Sequence, residues 1–304
     1  MKRKMLKKLD AFEIVCFVVI MIYVISIIYV LLFGLVNSLK DYRDYYRGNV
    51  FGWPSGKYDK EGSFLGLQFV NYAQMFNDFY CRIKPIGGAP RNVYPLEMMF
   101  NSIVYSVAVS ITTIASQVVV AYAVSKYSFK LRNTIFNMAI IVMTIPIIGS
   151  LASQIRIMTS LGLSNSIIGV CIMKASYTGM HFLIFYASFK GISWSYAEAA
   201  QIDGAGHFYT FLRIMLPMAS STIMAVFILQ FISNFNDYYT PMIFLPLKPT
   251  ISYGLYQYQS NVASNTSPPL KLAASLFSCI PVFILFMIFR NKIMGNLSIG
   301  GLKG

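Results

Sequence analysis

The sequence predicts an all-α integral membrane protein with six transmembrane helices. Of its 304 residues, 56% are hydrophobic and 12% are charged, and the mean hydropathy is +0.59, whereas about a quarter of the residues of a soluble domain are charged. Several apolar runs reach the ~20 residues that a helix needs to cross ~30 Å of hydrocarbon. The expected spans are 11–36, 99–125, 134–151, 166–190, 218–236 and 271–290.

The first expected span follows a basic N-terminal segment, MKRKMLKKLD. The apolar run is too long for the core of a signal peptide and no A-x-A cleavage site follows it, so we expect a retained anchor. Lys and Arg collect in the cytoplasmic segments of membrane proteins. With the N-terminus inside, thirteen of them lie in the termini and inner loops and three in the short outer loops. We therefore expect a multi-pass protein of the cell membrane with both termini cytoplasmic, a long extracytoplasmic loop at 37–98 and a cytoplasmic loop at 190–217.

The sequence gives no support for a nucleic-acid interface, a metal site, a phosphate-binding loop or a catalytic site. The net charge of +14 is explained by the cytoplasmic bias of Lys and Arg, so no nucleic-acid partner is expected. The four cysteines are scattered, and neither a metal-site spacing nor a G-x-x-x-x-G-K-[ST] phosphate loop occurs. We expect no metal, no catalytic residue and no cofactor on this chain.

The stretch SYAEAAQIDGAGHFYTFLRIMLP (195–217) has the pattern of a short docking helix. Ser195 and Glu198 fit a capping box, so a helix should begin at Ser195. Gly204 can take the left-handed conformation that ends a helix. Because two or three turns are marginal in water, such a helix needs a surface to dock on. An amphipathic segment along the membrane surface is expected next, before Pro217 opens the fifth span; its apolar residues at helical spacing are Phe208, Phe211, Leu212 and Met215.

These residues resemble the EAA loop of ATP-binding-cassette (ABC) importer permeases, which implies a type I importer permease fold. In that family the loop forms a coupling helix that seats in a groove of a separate ATPase subunit. ATP and Mg²⁺ would then bind to a partner ATPase dimer. The resemblance makes these the ATPase-coupling residues: Glu198, Ala199, Ala200, Asp203, Gly204, Ile214, Leu216 and Pro217.

Three further stretches resemble the carbohydrate branch, in particular the shorter permease subunit of maltose-type importers. They are LGLSNSIIG (161–169), NFNDYYTPMIFL (234–245), in which Phe235 replaces the usual tryptophan, and IGGLKG (299–304). The resemblance implies a homologous second permease, giving a heterodimer, and an extracytoplasmic sugar-binding protein as partners. The length of the 37–98 loop resembles the branch that handles larger oligosaccharides.

Two polar stripes in the expected spans are candidates for the substrate path. Lys174 would lie ~12 Å deep in the fourth span, where a charge costs at least ~2.5 kcal/mol unless it faces protein or water. In continuous helices, each stripe would occupy one face and avoid lipid. The stripes would either line a sugar path or bond helices to one another. They consist of Lys174, Tyr177, Thr178 and His181 in the fourth span, and Gln230, Asn234 and Asp237 in the fifth.

Other functions are weighed against the sugar permease. An ABC permease for a non-sugar solute would share the coupling loop. An ion-coupled secondary transporter should keep carboxylates inside its spans, whereas the acidic residues here lie at span ends, in loops or in the tail. An intramembrane enzyme would need a convergent catalytic set, and none is visible.

Overall fold

The computed structural model describes residues 10–57, 65–85, 87–145, 149–260 and 267–297, the last seven by their backbone alone. Apart from one antiparallel hairpin, β1 (Cys81–Ile83) and β2 (Arg91–Val93), the regular elements are helices. They are α1 (Ala11–Ser38), α2 (Tyr42–Tyr46), α3 (Val70–Asp78), α4 (Pro95–Lys126), α5 (Arg132–Thr144), α6 (Leu151–Ser160), α7 (Ile167–Lys174), α8 (Met180–Gly191), α9 (Ser195–Ile202), α10 (His207–Thr210), a π-helical turn (Phe211–Met215), α11 (Leu216–Met218), α12 (Ser220–Asn236), α13 (Tyr239–Phe244), α14 (Ile251–Ser260) and α15 (Pro268–Leu297).

Among the described residues, three helices are long and apolar enough to cross a membrane: α1, α4 and the Pro268–Arg290 part of α15. A fourth span exists if His207–Met218 and Ser220–Asn236, which meet at 73°, count as one. The described part of the chain therefore has three or four apolar spans of this kind. That the chain has six membrane spans remains a prediction.

The third and fourth expected spans are not single long helices. The third corresponds to α5, which has 13 residues, and part of its range, 146–148, lies outside the described residues. The fourth is divided into α7 and α8 by a break at 175–179. The break ends at Gly179, whose φ of +137° is a conformation that glycine adopts without the steric cost of a side chain.

The chain forms two compact units. One contains the chain up to Phe79 together with Tyr258–Phe277, and the other contains Tyr80–Gln257 together with the chain from Ser278 onward. In the first unit, α1 is exposed along its apolar stretch.

Part of the 37–98 loop is folded around a buried lysine. Lys40 is fully buried and its Nζ donates to the carbonyls of Asn49 (2.6 Å) and Val50 (3.1 Å). Asp44 accepts from Asn49 Nδ2 (3.0 Å) and from the Ser55 amide (2.9 Å). Burial alone would raise the pKa of Asp44, but these hydrogen bonds and the Lys40 ammonium hold it below its ordinary value. The segment is thus an ordered structure and not only a tether between spans.

In the second unit, α4 lies against α7, α8 and α12. The face of α8 that packs into the core carries three fully buried phenylalanines, Phe182, Phe185 and Phe189. The buried face of α4 instead carries small polar side chains at spacings of three and four residues, which is one side of a helix. These residues are Ser102, Ser106, Ser110, Thr113 and Gln117.

Candidate functional site

The predicted docking helix is α9, and it begins at Ser195 as expected, but the predicted capping box is wrong. The N-cap is Trp194, whose side chain makes no capping hydrogen bond. Trp194 already has helical backbone angles (φ −69°, ψ −21°), so Ser195 lies inside the first turn. The Ser195 amide instead donates to Ser193 Oγ at 3.3 Å.

The predicted end of this helix at Gly204 is confirmed. Gly204 has φ +84°, and its amide donates to the Gln201 carbonyl (3.0 Å) while the Ala205 amide donates to the Ala200 carbonyl (2.9 Å). This pair of bonds is the Schellman motif, which a left-handed residue closes. A Cβ at Gly204 would meet no atom within 4 Å, so the backbone conformation, not space, favours glycine there.

The two faces of α9 differ. Ala197 is fully buried in the core that contains Phe189, and Ala200 is also buried. Glu198, Ala199 and Asp203 are exposed. The small residues therefore hold α9 against its own chain, and the opposite face is free to bind a partner.

A cleft of about 710 Å³ adjoins this exposed face. Its walls bring together five of the eight predicted coupling residues: Ala199, Ala200, Asp203, Gly204 and Ile214. Leu216 and Pro217 line a separate apolar groove against α4, and Glu198 lines neither cavity.

The segment after the glycines is helical, and its four apolar residues divide between two environments. Phe208 and Leu212 are exposed, whereas Phe211 and Met215 pack into the core. Residues Phe211–Met215 form a π-helical turn, in which i→i+5 bonding departs from regular α-helical spacing. That the segment lies along the membrane surface remains a prediction.

The polar cluster within the apolar region is centred on Lys174 and Asp237. Lys174 Nζ lies 2.8 Å from Asp237 Oδ2, and the Tyr105 hydroxyl lies 3.3 Å from the same oxygen and 3.4 Å from Lys174 Nζ. The Thr240 amide donates to Asp237 Oδ1 (3.0 Å). Lys174 thus faces protein, as the cost of an intramembrane charge requires.

The fourth-span residues do not share one helix face, because the helix is broken. Lys174 ends α7, Tyr177 and Thr178 lie in the break, and His181 lies in the first turn of α8. The break leaves backbone carbonyls without helical partners, and α4 supplies donors to them. Thr113 Oγ1 donates to the Lys174 carbonyl (3.2 Å), Ser116 Oγ to that of Ser176 (3.1 Å) and Gln117 Nε2 to that of Thr178 (3.4 Å).

These donors on α4 were missed from the sequence. Their signal was present as Ser, Thr and Gln at spacings of three and four residues within an apolar run. Such a stripe is typical of a helix that satisfies polar backbone elsewhere in a membrane protein.

The fifth-span stripe lies as predicted at the end of α12. Gln230 and Asn234 are on the helix, 3.5 Å apart between Nε2 and Oδ1, and Asp237 follows its last residue. Asn234 is buried and donates to Ser110 Oγ on α4 (3.0 Å). In this conformation Asn234 bonds two helices together.

Two of the stretches that resembled carbohydrate permeases contact each other. In the first, Asn165 has φ +55° and its amide donates to the Phe244 carbonyl (3.0 Å) of the second. Asn165 Oδ1 also accepts from the Leu247 amide (2.9 Å), and Ser166 caps α7. The third stretch, 299–304, lies outside the described residues.

Comparison with known proteins identifies the family of this chain. Residues 117–298 match the family described as "Binding-protein-dependent transport system inner membrane component". The arabinooligosaccharides transport system permease protein AraQ of Bacillus subtilis (strain 168) is 29% identical over 241 residues, which cover 78% of this chain and 80% of that protein. The trehalose/maltose transport system permease protein MalG of Thermococcus litoralis is 27% identical over 248 residues, which cover 81% and 87%.

A solved structure gives the same fold. A crystal structure of a bacterial ABC transporter involved in the import of the acidic polysaccharide alginate contains a chain with a TM-score of 0.74 and 21% identity, over 94% of this chain and 99% of that one. The matched family covers more than half of this sequence and includes the whole of the 195–217 loop. The chain therefore belongs to the binding-protein-dependent transport system inner membrane components, and it is a multi-pass membrane permease with the ABC importer fold.

Proposed function

We propose that this chain is the permease subunit of an ATP-driven oligosaccharide importer. It forms half of the translocation pathway and couples to a separate ATPase through the 190–217 loop. The observation that carries the proposal is the loop itself: Ala197 and Ala200 fix α9 to the permease, and Glu198, Ala199 and Asp203 are left exposed beside an open cleft. The names of AraQ and MalG, which transport arabinooligosaccharides and trehalose or maltose, favour a carbohydrate as the substrate.

The mechanism that follows is alternating access. An extracytoplasmic binding protein delivers the sugar, and a homologous second permease completes the path. An ATPase dimer, which binds ATP and Mg²⁺, closes on α9 and turns the cavity outward. In this arrangement the chain has six spans, and its termini lie in the cytoplasm with α9.

The substrate path is proposed to pass the polar cluster and the 175–179 break. Its residues are Lys174, Tyr177, Thr178, His181, Gln230, Asn234 and Asp237. Discontinuous helices line binding sites in many transporters because their free backbone groups can bind solute. Ser106 Oγ and Gln117 Oε1, on the adjoining face of α4, are buried and have no hydrogen-bond partner among the residues that the structure describes. Buried polar groups of this kind are costly, which favours a second conformation or a bound hydroxyl that satisfies them.

The proposal is tested with the whole complex in proteoliposomes. The permease is purified with its ATPase and second permease, and ATP hydrolysis is measured with the binding protein across a panel of neutral and acidic oligosaccharides. We expect one class of glycan to stimulate hydrolysis and to accumulate inside.

Three controls separate the alternatives. Omission of the binding protein should abolish the stimulation. Stimulation by a non-sugar solute alone would favour a different substrate class. Uptake that follows an ion gradient without ATP would overturn the importer.

A further inference from the structure

An aromatic cluster connects α4 to both flanks of α9. Tyr127 directly follows α4 as its C-cap. Its ring lies edge-on to Trp194 (centroids 5.6 Å apart, 79°) and to His207 (5.6 Å, 75°). Its hydroxyl is 3.3 Å from His207 Nδ1. Trp194 precedes α9 and His207 begins α10, so a single side chain contacts the chain on both sides of the coupling helix.

The same end of α4 makes a second set of contacts. The Tyr122 ring packs against Tyr127 (5.6 Å), Phe189 (5.3 Å) and Phe211 (4.7 Å), and the two tyrosine hydroxyls are 3.4 Å apart. Lys126 Nζ donates to the carbonyl of Ile192, which caps the end of α8. The last turn of α4 is therefore bound to α8, to the start of α9 and to the helices after it.

Nearer its middle, α4 makes contacts at the proposed substrate path. Tyr105 contacts Asp237 and Lys174, and Gln117 contacts the break. Tyr105 and Gln117 lie on one continuous 32-residue helix, and Tyr127 directly follows its last residue; the helix is ~48 Å long at 1.5 Å per residue. A shift of α9 that moves the C-terminal end of α4 would therefore also move the α4 side chains that contact the ion pair and the break.

We propose that Tyr127 is the joint that transmits movement of α9 into α4, and so sets how tightly ATP hydrolysis is coupled to the path. The proposal rests on the importer function proposed above. Tyr127 is a positioning residue: Glu198, Ala199 and Asp203, which face outward, make none of these contacts, so a change at Tyr127 leaves the docking face in place.

The test compares three variants in the assembled complex. Tyr127→Ala removes the ring and the hydroxyl, Tyr127→Phe removes the hydroxyl alone, and Phe129→Ala removes an exposed aromatic residue two positions away as a control. For Tyr127→Ala we expect normal co-purification of the ATPase and unchanged basal hydrolysis, with transport per ATP lowered about tenfold, which is within the usual range of allosteric coupling. Tyr127→Phe should recover most of the loss, and Phe129→Ala should resemble the unaltered chain.

A second measurement needs no substrate. Ser176→Cys, in the break, is labelled with a thiol reagent in the presence and absence of ATP. We expect ATP to change the labelling rate in the unaltered background and in Phe129→Ala, but not in Tyr127→Ala.

The outcomes distinguish a failure of the proposal for Tyr127 from a failure of the proposed importer function. A labelling response to ATP that survives in Tyr127→Ala would contradict the proposed role of Tyr127. The absence of any response in the unaltered background would also contradict it, since no movement would then be transmitted to the break. A normal response without sugar-dependent hydrolysis would instead contradict only the substrate class.

Discussion

At the scale of single residues, the free-energy cost of a charge in an apolar span explains why Lys174 forms an ion pair. That cost predicted that Lys174 would face protein or water, but the sequence could not show that Asp237 is its partner. The two residues are 63 positions apart, and they meet because α7 and α12 both pack on α4. The ion pair is partly exposed, with side-chain accessibilities of 26% and 18%, so it remains within reach of a polar solute.

The pair can be tested by removing one charge and then both. Lys174→Met or Asp237→Asn alone leaves an uncompensated charge, and each should destabilise the permease by somewhat less than the ~3–5 kcal/mol typical of fully buried pairs. The double variant removes both charges and should regain most of that stability, a non-additivity that thermal unfolding in detergent can measure.

Transport by the double variant distinguishes the two possible roles of this cluster, which are contact with the sugar and bonding of helices to one another. If the pair contacts the sugar, the double variant should assemble normally and still transport poorly or with changed sugar preference. Normal transport of every sugar by a stable double variant would limit the pair to bonding helices.

At the scale of elements, the coupling loop was predictable because its signals are local. The end of α9 before Gly204 follows from residues within one turn of the boundary. The start at Ser195 was predicted from a capping box that the structure does not contain, because the flanking Trp194 is itself helical. The contacts of Trp194 with Tyr127, after α4, and of Phe211 with Tyr122 of α4 join residues far apart in the sequence, which no local pattern contains.

Gly204 gives the sharpest test of this element. Gly204→Pro cannot adopt φ +84°, since proline is fixed near −65°, and it also loses the amide that donates to Gln201, so a cost of ~3 kcal/mol or more is expected. The protein should remain inserted in the membrane, while ATPase co-purification and transport fall sharply.

Gly204→Asn is the matched control. Asparagine tolerates the left-handed region, and the added Cβ has open space. This variant should transport at close to the normal rate. If Gly204→Pro transports equally well, the end of α9 has no part in coupling.

At the scale of the whole molecule, composition correctly predicted a membrane protein, but the apolar runs overestimated the continuity of its helices. Hydropathy measures the length of an apolar run and does not register a break such as 175–179. Ser116 and Gln117 of α4 donate to two carbonyls of this break, and Thr113 donates to the carbonyl of Lys174 just before it. The substrate-path residues were chosen on the assumption of a regular helix, so their mutual geometry was the part that could not be predicted.

The orientation of the molecule yields the last prediction. The excess of Lys and Arg in alternate segments predicts that α3 lies outside the cell and the 190–217 loop inside. Asn77 in α3 and Gly206 before α10 are both exposed, and a Cβ at Gly206 would meet no described atom within 4 Å, so a cysteine at either position should leave the fold unchanged. In intact cells, Asn77→Cys should react with a membrane-impermeant thiol reagent, and Gly206→Cys should react only after the membrane is permeabilised.

The unaltered chain supplies the background for this labelling. Its Cys81 is the native thiol of the 37–98 loop. It is buried against Gln257 (Sγ to Oε1, 3.0 Å), and burial raises its pKa to about 11, so it should react slowly at neutral pH because the thiolate is the reactive form. Labelling of Gly206→Cys from outside would reverse the topology and would place the α9 surface where no cytoplasmic ATPase could reach it.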